Sequence, residues 1–179
     1  MRNKLIKEIK EMAKTQPISK RTVTTFIERL NSTDPITRDE NLKDHYCAFY
    51  VPIDRKTKQL YLIVHKKSGL WMPPGGHIDK GEDPVTAVKR ECNEELNFEI
   101  TNEPVELFTI SVDPIDNPIQ PCKIHYSLWY MVKMDKMEFE YNEKESTDGK
   151  WVGLKEAQKL VTFKTFLEPI ASLSSYLEL

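Results

Sequence analysis

The chain has 179 residues, with 26 basic against 28 acidic residues and a formal charge of −2. That length makes one domain with at most a small appendage. The near-even charge excludes a general nucleic-acid binder, which carries a basic surface, and no apolar run reaches the length of a bilayer span.

Residues 1–44 read as a helical extension. Met1-Arg2-Asn3-Lys4 opens the chain, but charge then alternates with Leu5, Ile6 and Ile9, which marks an amphipathic helix and not a signal sequence. Leu5, Ile6, Ile9, Met12 and Ala13 share one helical face. Pro17 breaks the pattern, and Ser19 can cap a second helix carrying Val23, Phe26, Ile27 and Leu30. Asp34-Pro35 has the form of an N-cap followed by proline, which predicts a short third helix. Each buried aliphatic side chain is worth roughly 1.5–3 kcal/mol, so these faces must cover the domain core beside the site, or else a second subunit.

From residue 45 the period changes, and residues 45–179 read as the main domain. His45–Val51 and Leu60–His65 are predicted strands, separated by the polar turn Asp54–Lys58. Trp71-Met72-Pro73-Pro74-Gly75-Gly76 suits neither a helix nor a central strand, since the prolines lack donors. A helix follows from about Pro84 to Leu96, with Asp83 as N-cap and Pro84 in its first turn. Val105–Val112 and Ile124–Met134 are further strands, joined by a proline-rich loop at 113–121. Lys150–Gly153 reads as a short strand, Lys155–Leu160 as a helix and Pro169–Leu177 as a last helix. Strands mixed with a few helices give an α/β sandwich. The cysteines Cys47, Cys92 and Cys122 are dispersed and odd in number, with no Cys-x-x-Cys. They read as reduced, buried thiols of a cytoplasmic protein, not as zinc ligands or disulfides.

The chemistry concentrates between Gly76 and Phe98. Gly76 is followed after five residues by Glu82, and after seven more by Arg90-Glu91-Cys92-Asn93-Glu94-Glu95-Leu96-Asn97-Phe98. On a helical wheel Val85, Val88, Cys92 and Leu96 form one apolar stripe, and Glu91, Glu94 and Glu95 form another. An ordinary solvated face would avoid the like-charge pair Glu91–Glu95 at i,i+4. Carboxylates this close repel unless a cation lies between them, and their hard oxygens suit Mg²⁺, with Mn²⁺ as the other choice.

This pattern resembles the Nudix box, Gly-x5-Glu-x7-Arg-Glu-U-x-Glu-Glu-x-Gly-U, where U is apolar. Gly76, Glu82, Arg90, Glu91, Glu94 and Glu95 meet six fixed positions, and Cys92 and Phe98 the two apolar ones. Chance supplies such a match roughly once in ten million start positions. Asn97 replaces the last glycine; asparagine is the best substitute in a left-handed helix cap. The resemblance implies a Nudix-type α/β/α sandwich with a mixed sheet over about residues 45–165, the N-terminal helices lying outside it.

It also implies roles. Glu91, Glu94 and Glu95 would bind the metal directly, Glu82 through water and Gly75 through its carbonyl, while Arg90 would orient a metal-binding glutamate. The reaction implied is attack of water on phosphorus in a nucleoside diphosphate linked to a further group X. The general base would come from the box or from a later loop; Glu145, in the run ahead of Trp151, is the choice. An acidic loop of this kind can equally be a solvated one. Trp71, His77 and His125 are candidate substrate contacts, with His65 and Tyr126 also considered and Trp129 read as core.

Substrate tags outside the box are weak. No coenzyme A or NADH-type run appears, and Pro114 stands near the position of a proline found in the ADP-sugar subset. A different reading is a catalytically silent Nudix domain that senses a nucleotide or binds a partner; the complete acid set argues for the enzyme. Isopentenyl diphosphate isomerisation would want a cysteine in an Asn-Thr-Cys context, whereas Cys47 sits in Tyr-Cys-Ala. The expected partner is a nucleotide-like small molecule, with neither membrane nor nucleic acid, in a monomer or homodimer.

Overall fold

The computed structural model describes residues 1–116 and 121–177. Among them, two helices come first, α1 (Arg2–Thr15) and α2 (Lys20–Asn31). Strands β1 (Asp44–Asp54), β2 (Leu60–His65), β3 (Leu70–Met72) and β4 (Gly75–His77) lead to α3 (Pro84–Leu96). Then follow β5 (Val105–Pro114), β6 (Ile124–Met134), β7 (Ser146–Val152), α4 (Leu154–Leu160), α5 (Lys164–Ser172) and α6 (Ser174–Leu177). The loop read at 113–121 lies partly outside the described residues.

The strands form one mixed sheet in the order β3-β2-β1-β6-β5, with β4 pairing β1 and β7 pairing β2. β1 and β6 run parallel, and the other pairs are antiparallel. Strand alternation divides the core in two. Tyr46, Ala48 and Tyr50 of β1 face a cluster shared with α1, α2 and α3. Cys47, Phe49, Val51 and Ile53 face the other, closed by Ala157 and Val161 around α4 and by Phe166 and Ile170 of α5. The result is an α/β/α sandwich, and no helix among the described residues is long and apolar enough to cross a membrane.

The N-terminal helices belong to this core. Leu5, Ile9, Met12, Phe26 and Leu30 are buried, and Phe26 meets Tyr46 and Tyr126 edge-on at 5.2 and 5.7 Å between ring centroids. Ser19 caps α2 by accepting from the Thr22 amide. Arg29, 8% exposed, grips the start of β1 through Asp44 at 2.8 Å and donates to the carbonyls of Asp34 and Pro35.

Two sequence expectations are corrected here, for Asp34-Pro35 and the last helix, and the one for residues 71–76 is filled in. Asp34-Pro35 opens no helix: the carbonyls of Asp34 and Pro35 turn to Arg29, and the segment runs as bends and a turn into β1. The stretch 71–76 holds two short strands on either side of Pro73-Pro74, because β3 pairs at one sheet position and β4 at another. The span read as one last helix from Pro169 to Leu177 is two: α5 begins at Lys164, with Pro169 inside it, and ends at Ser172, and the short α6 follows.

Candidate active site

Helix α3 is built as its sequence suggests. The Asp83 carboxylate accepts from the Thr86 amide, Pro84 fills the first turn, and Asn97 ends the helix in the left-handed conformation at φ 48, ψ 35. Its last turn has no basic residue but carries Glu94 and Glu95, where the helix dipole already disfavours negative charge.

The glycines before the helix let backbone and carboxylate meet. Gly75 has φ +129, and a Cβ there would lie 2.5 Å from the Ala48 carbonyl oxygen. A Cβ on Gly76 would lie 2.5 Å from Glu91 Oε1, so the missing side chain makes room for that carboxylate. Glu95 is only 6% exposed. Its Oε2 accepts from the Gly75 amide at 2.8 Å and from the Tyr50 hydroxyl at 3.3 Å. Burial, and then the neighbouring Glu91 charge, push the Glu95 carboxyl well above its ordinary value despite these donors. Burial also raises Glu91, against the pull of Arg90. These carboxylates are thus short of positive charge, and their oxygens fit a hard divalent cation.

Arg90 sits at the centre of the acids. It pairs with Glu82 through Nε at 2.8 Å and Nη2 at 3.1 Å, and reaches Glu91 at 2.9 Å and Glu94 at 3.0 Å. Nη2 also donates to the His77 carbonyl at 2.9 Å. The forked pair is therefore with Glu82, whose carboxyl Arg90 holds below its usual range.

Glu91, Glu94, Glu95, Gly75, Gly76 and His77 line a cavity of about 590 Å³, and Glu145 is also part of its lining. The loop bearing Glu145 is fastened to the end of α3: Asn142 donates to the Glu95 carbonyl at 2.7 Å and to the Glu94 carbonyl at 3.0 Å. The Lys66 amide donates to the Glu145 carbonyl at 2.8 Å. Arg38 and Lys67 add positive charge to the cavity lining, beside Asp39, Asp79, His65 and Asn142.

Other expected positions fall elsewhere. Glu82 is turned to Arg90 and the Asp79 amide, outside the cavity lining. Trp71 lies on β3 against the opposite core, with the Lys150 ammonium 5.1 Å above its ring. His125 packs against His45 and His77 behind the cavity. Trp129 is fully buried, as read. Helices α1 and α2 supply none of the lining; the segment after them supplies Arg38 and Asp39. Arg38, Lys67 and Asn142 were not singled out from sequence. Only Lys67, in a Lys-Lys-Ser-Gly turn after a strand, carried a local hint.

The model of the NUDIX domain matches residues 14–172. The chain belongs to the Nudix family. This chain is a hydrolase acting on phosphorus-containing acid anhydrides, in a family whose enzymes in general use divalent metal ions. It is 30% identical over 107 residues to the mouse asymmetrical bis(5'-nucleosyl)-tetraphosphatase, covering 58% of this chain and 71% of that protein. It is 28% identical to the Caenorhabditis elegans protein of the same name, covering 60% and 75%. Among solved structures, the E. coli dihydroneopterin triphosphate pyrophosphohydrolase shares the Nudix fold at TM-score 0.65 and 14% identity, over 74% of this chain and 94% of that one. The Nudix domain of Shewanella oneidensis NrtR, solved with ADP ribose, shares it at TM-score 0.60 and 17% identity, over 89% and 99%.

Proposed function

We propose that this Nudix hydrolase is a Mg²⁺- or Mn²⁺-dependent pyrophosphohydrolase that cleaves the diphosphate link of a nucleoside diphosphate joined to a group X. One observation carries the reading: Glu91, Glu94, Glu95, the Gly75 backbone and Glu145 border one cavity that also carries Arg38 and Lys67. Acids to hold metal and cations to hold phosphate stand together there, as in-line attack on a P–O–P bridge requires.

Glu91, Glu94, Glu95 and the Gly75 carbonyl would hold the metal, with Glu82 acting through Arg90 or water. When bound, a divalent ion neutralises diphosphate charge and eases deprotonation of water. The chain's own groups do the rest. Glu145 takes the proton of the attacking water as general base. Arg38 and Lys67 hold the outer phosphate oxygens. The Gly75 amide and Tyr50 hydroxyl fix Glu95 in place. His77 is the reading's candidate substrate contact from the cavity wall; His125 and Trp71 stand farther from it. The two tetraphosphatase relatives make dinucleoside polyphosphates the first substrates to try.

The test is a metal-supplemented screen of nucleotides, dinucleoside polyphosphates and nucleotide sugars, with products identified in oxygen-18 water. Label on a phosphate product is expected. Label only on a sugar or alcohol carbon rejects attack on phosphorus, and full turnover in excess EDTA rejects the metal. Binding without turnover across the whole screen would favour the silent, nucleotide-sensing alternative.

A further inference from the structure

On the sheet face away from α3 four side chains meet, and of these His77 alone also lines the cavity. The sheet register sets His45 of β1 opposite His125 of β6, and Cys47 of β1 opposite His77 of β4. Cys122 precedes β6 by two residues. One ligand atom from each of His45, His77, Cys122 and His125 lies within 4.8 Å of all the others. His45 and Cys122 are 0% and 1% exposed.

Their hydrogen bonding is incomplete in a telling way. Nε2 of His77 and Nε2 of His125 are buried with no partner, which native interiors rarely tolerate. His45 Nδ1 lies 2.9 Å from the Asn41 carbonyl. A carbonyl only accepts, so Nδ1 carries the proton. The Nε2 lone pair is thereby left free, 3.8 Å from Cys122 Sγ. A backbone carbonyl that fixes the tautomer from behind is the usual support of a metal-bound histidine.

We propose that His45, His77, Cys122 and His125 form a closed, structural Zn²⁺ site. Three imidazoles and one thiolate are the soft-to-borderline donors zinc takes, and four protein ligands leave no open position for catalysis. A tetrahedral ion with bonds of about 2.0–2.3 Å sets its ligand atoms roughly 3.3–3.7 Å apart, so a small contraction of the cluster completes the site. Cys122 gives up its thiol proton to solvent on binding. The ion would join β1, β4 and β6 at the residue following Gly75-Gly76, and so hold the backbone that meets Glu95 and Glu91. The sequence offered one sign of it, the spacing Cys122-x-x-His125, but the other two ligands are far apart along the chain.

The full-length protein is loaded with Co²⁺ as a spectroscopic probe and titrated against Zn²⁺. One equivalent of cobalt should show tetrahedral ligand-field bands and a thiolate-to-metal charge-transfer band, both removed by zinc. Cys122→Ser should lose the charge-transfer band, and His125→Gln should weaken zinc binding on the order of tenfold or more. Glu94→Gln, which alters the carboxylate site, should keep the band. No charge-transfer band in the native chain overturns the proposal, as does a band that survives Cys122→Ser. If Cys122→Ser does not fold, zinc-edge absorption of the native protein decides. Three nitrogens and one sulfur support the site, and a shell of nitrogen and oxygen alone overturns it.

Discussion

Two polar clusters flank the three-residue strand Gly75–His77, and they are built in opposite ways. On the α3 side the groups are carboxylates, bound to amides, a phenol and Arg90, and they line an open cavity. On the other side they are imidazoles and a thiol, His45 and Cys122 buried and His77 and His125 half-buried, with two orphan buried nitrogens. Burial pushes His77 down to about 3 and His125 to about 4, so these rings are neutral at neutral pH. A neutral cluster can stand in an interior without a counterion, but a carboxylate cluster cannot stand there long without a cation. The difference separates a site that exchanges ions with solvent and substrate from one closed off by its own ligands.

The largest expected effect breaks the first cluster alone. Glu95→Gln should cut turnover roughly a thousandfold or more, the loss of several kcal/mol of metal-borne stabilisation. The metal-free protein should melt no lower, since the repulsion between Glu91 and a buried Glu95 is gone. Turnover assays and thermal melts in EDTA check both, and retained activity would remove Glu95 from the site.

Glu145→Gln should slow catalysis by roughly 10²–10⁴ while leaving the metal dissociation constant unchanged. Wild-type turnover here, with loss in Glu143→Gln or a box glutamate variant, would move the base. Gly75→Ala tests the strand the clusters share: its Cβ would run into the Ala48 carbonyl, at a backbone angle side chains rarely adopt. It should lower stability by roughly 1–3 kcal/mol and weaken metal binding at the carboxylates, read by denaturant unfolding and calorimetry.

The smallest effect supplies a reference carboxylate. Burial would raise Asp54, but donors from Thr57, Lys56 and Lys136 outweigh it and hold the group at about 2. Its folded value is depressed, so its stabilisation is whole above about pH 4 and is lost as pH falls through about 2. Urea unfolding of Asp54→Asn should show a deficit at neutral pH that closes on acidification. A gap that does not change with pH would mean the charge is irrelevant.

Much of the fold was legible because it rests on local signals. The caps Asp83, Pro84 and Asn97 delimit α3 within the sequence itself, and the aromatic and β-branched runs mark β1, β2 and β6. The box residues shared a helical stripe, but the wheel could not tell that Glu95 is buried while Glu94 is half exposed. That contrast comes from Tyr50 and Gly75 lying over one residue and not the other. Side chains that answer distant backbone escaped in the same way. Arg29 claims the carbonyls that an Asp-Pro helix start would have kept. The histidines were visible one at a time, but only the register of β1 with β4 and β6 makes them neighbours.

Helices α1 and α2 end by Asn31, yet the strand they pack against, β5, begins at Val105. On a ribosome adding about 5–20 residues per second, the apolar faces of Leu5, Ile9 and Phe26 emerge several seconds before their partner surface exists. During that interval they are adhesive to whatever else is nearby. The same arrangement that gives the finished protein its outer layer makes its youngest form a client for chaperones, and the sheet must close around helices that have been waiting for it.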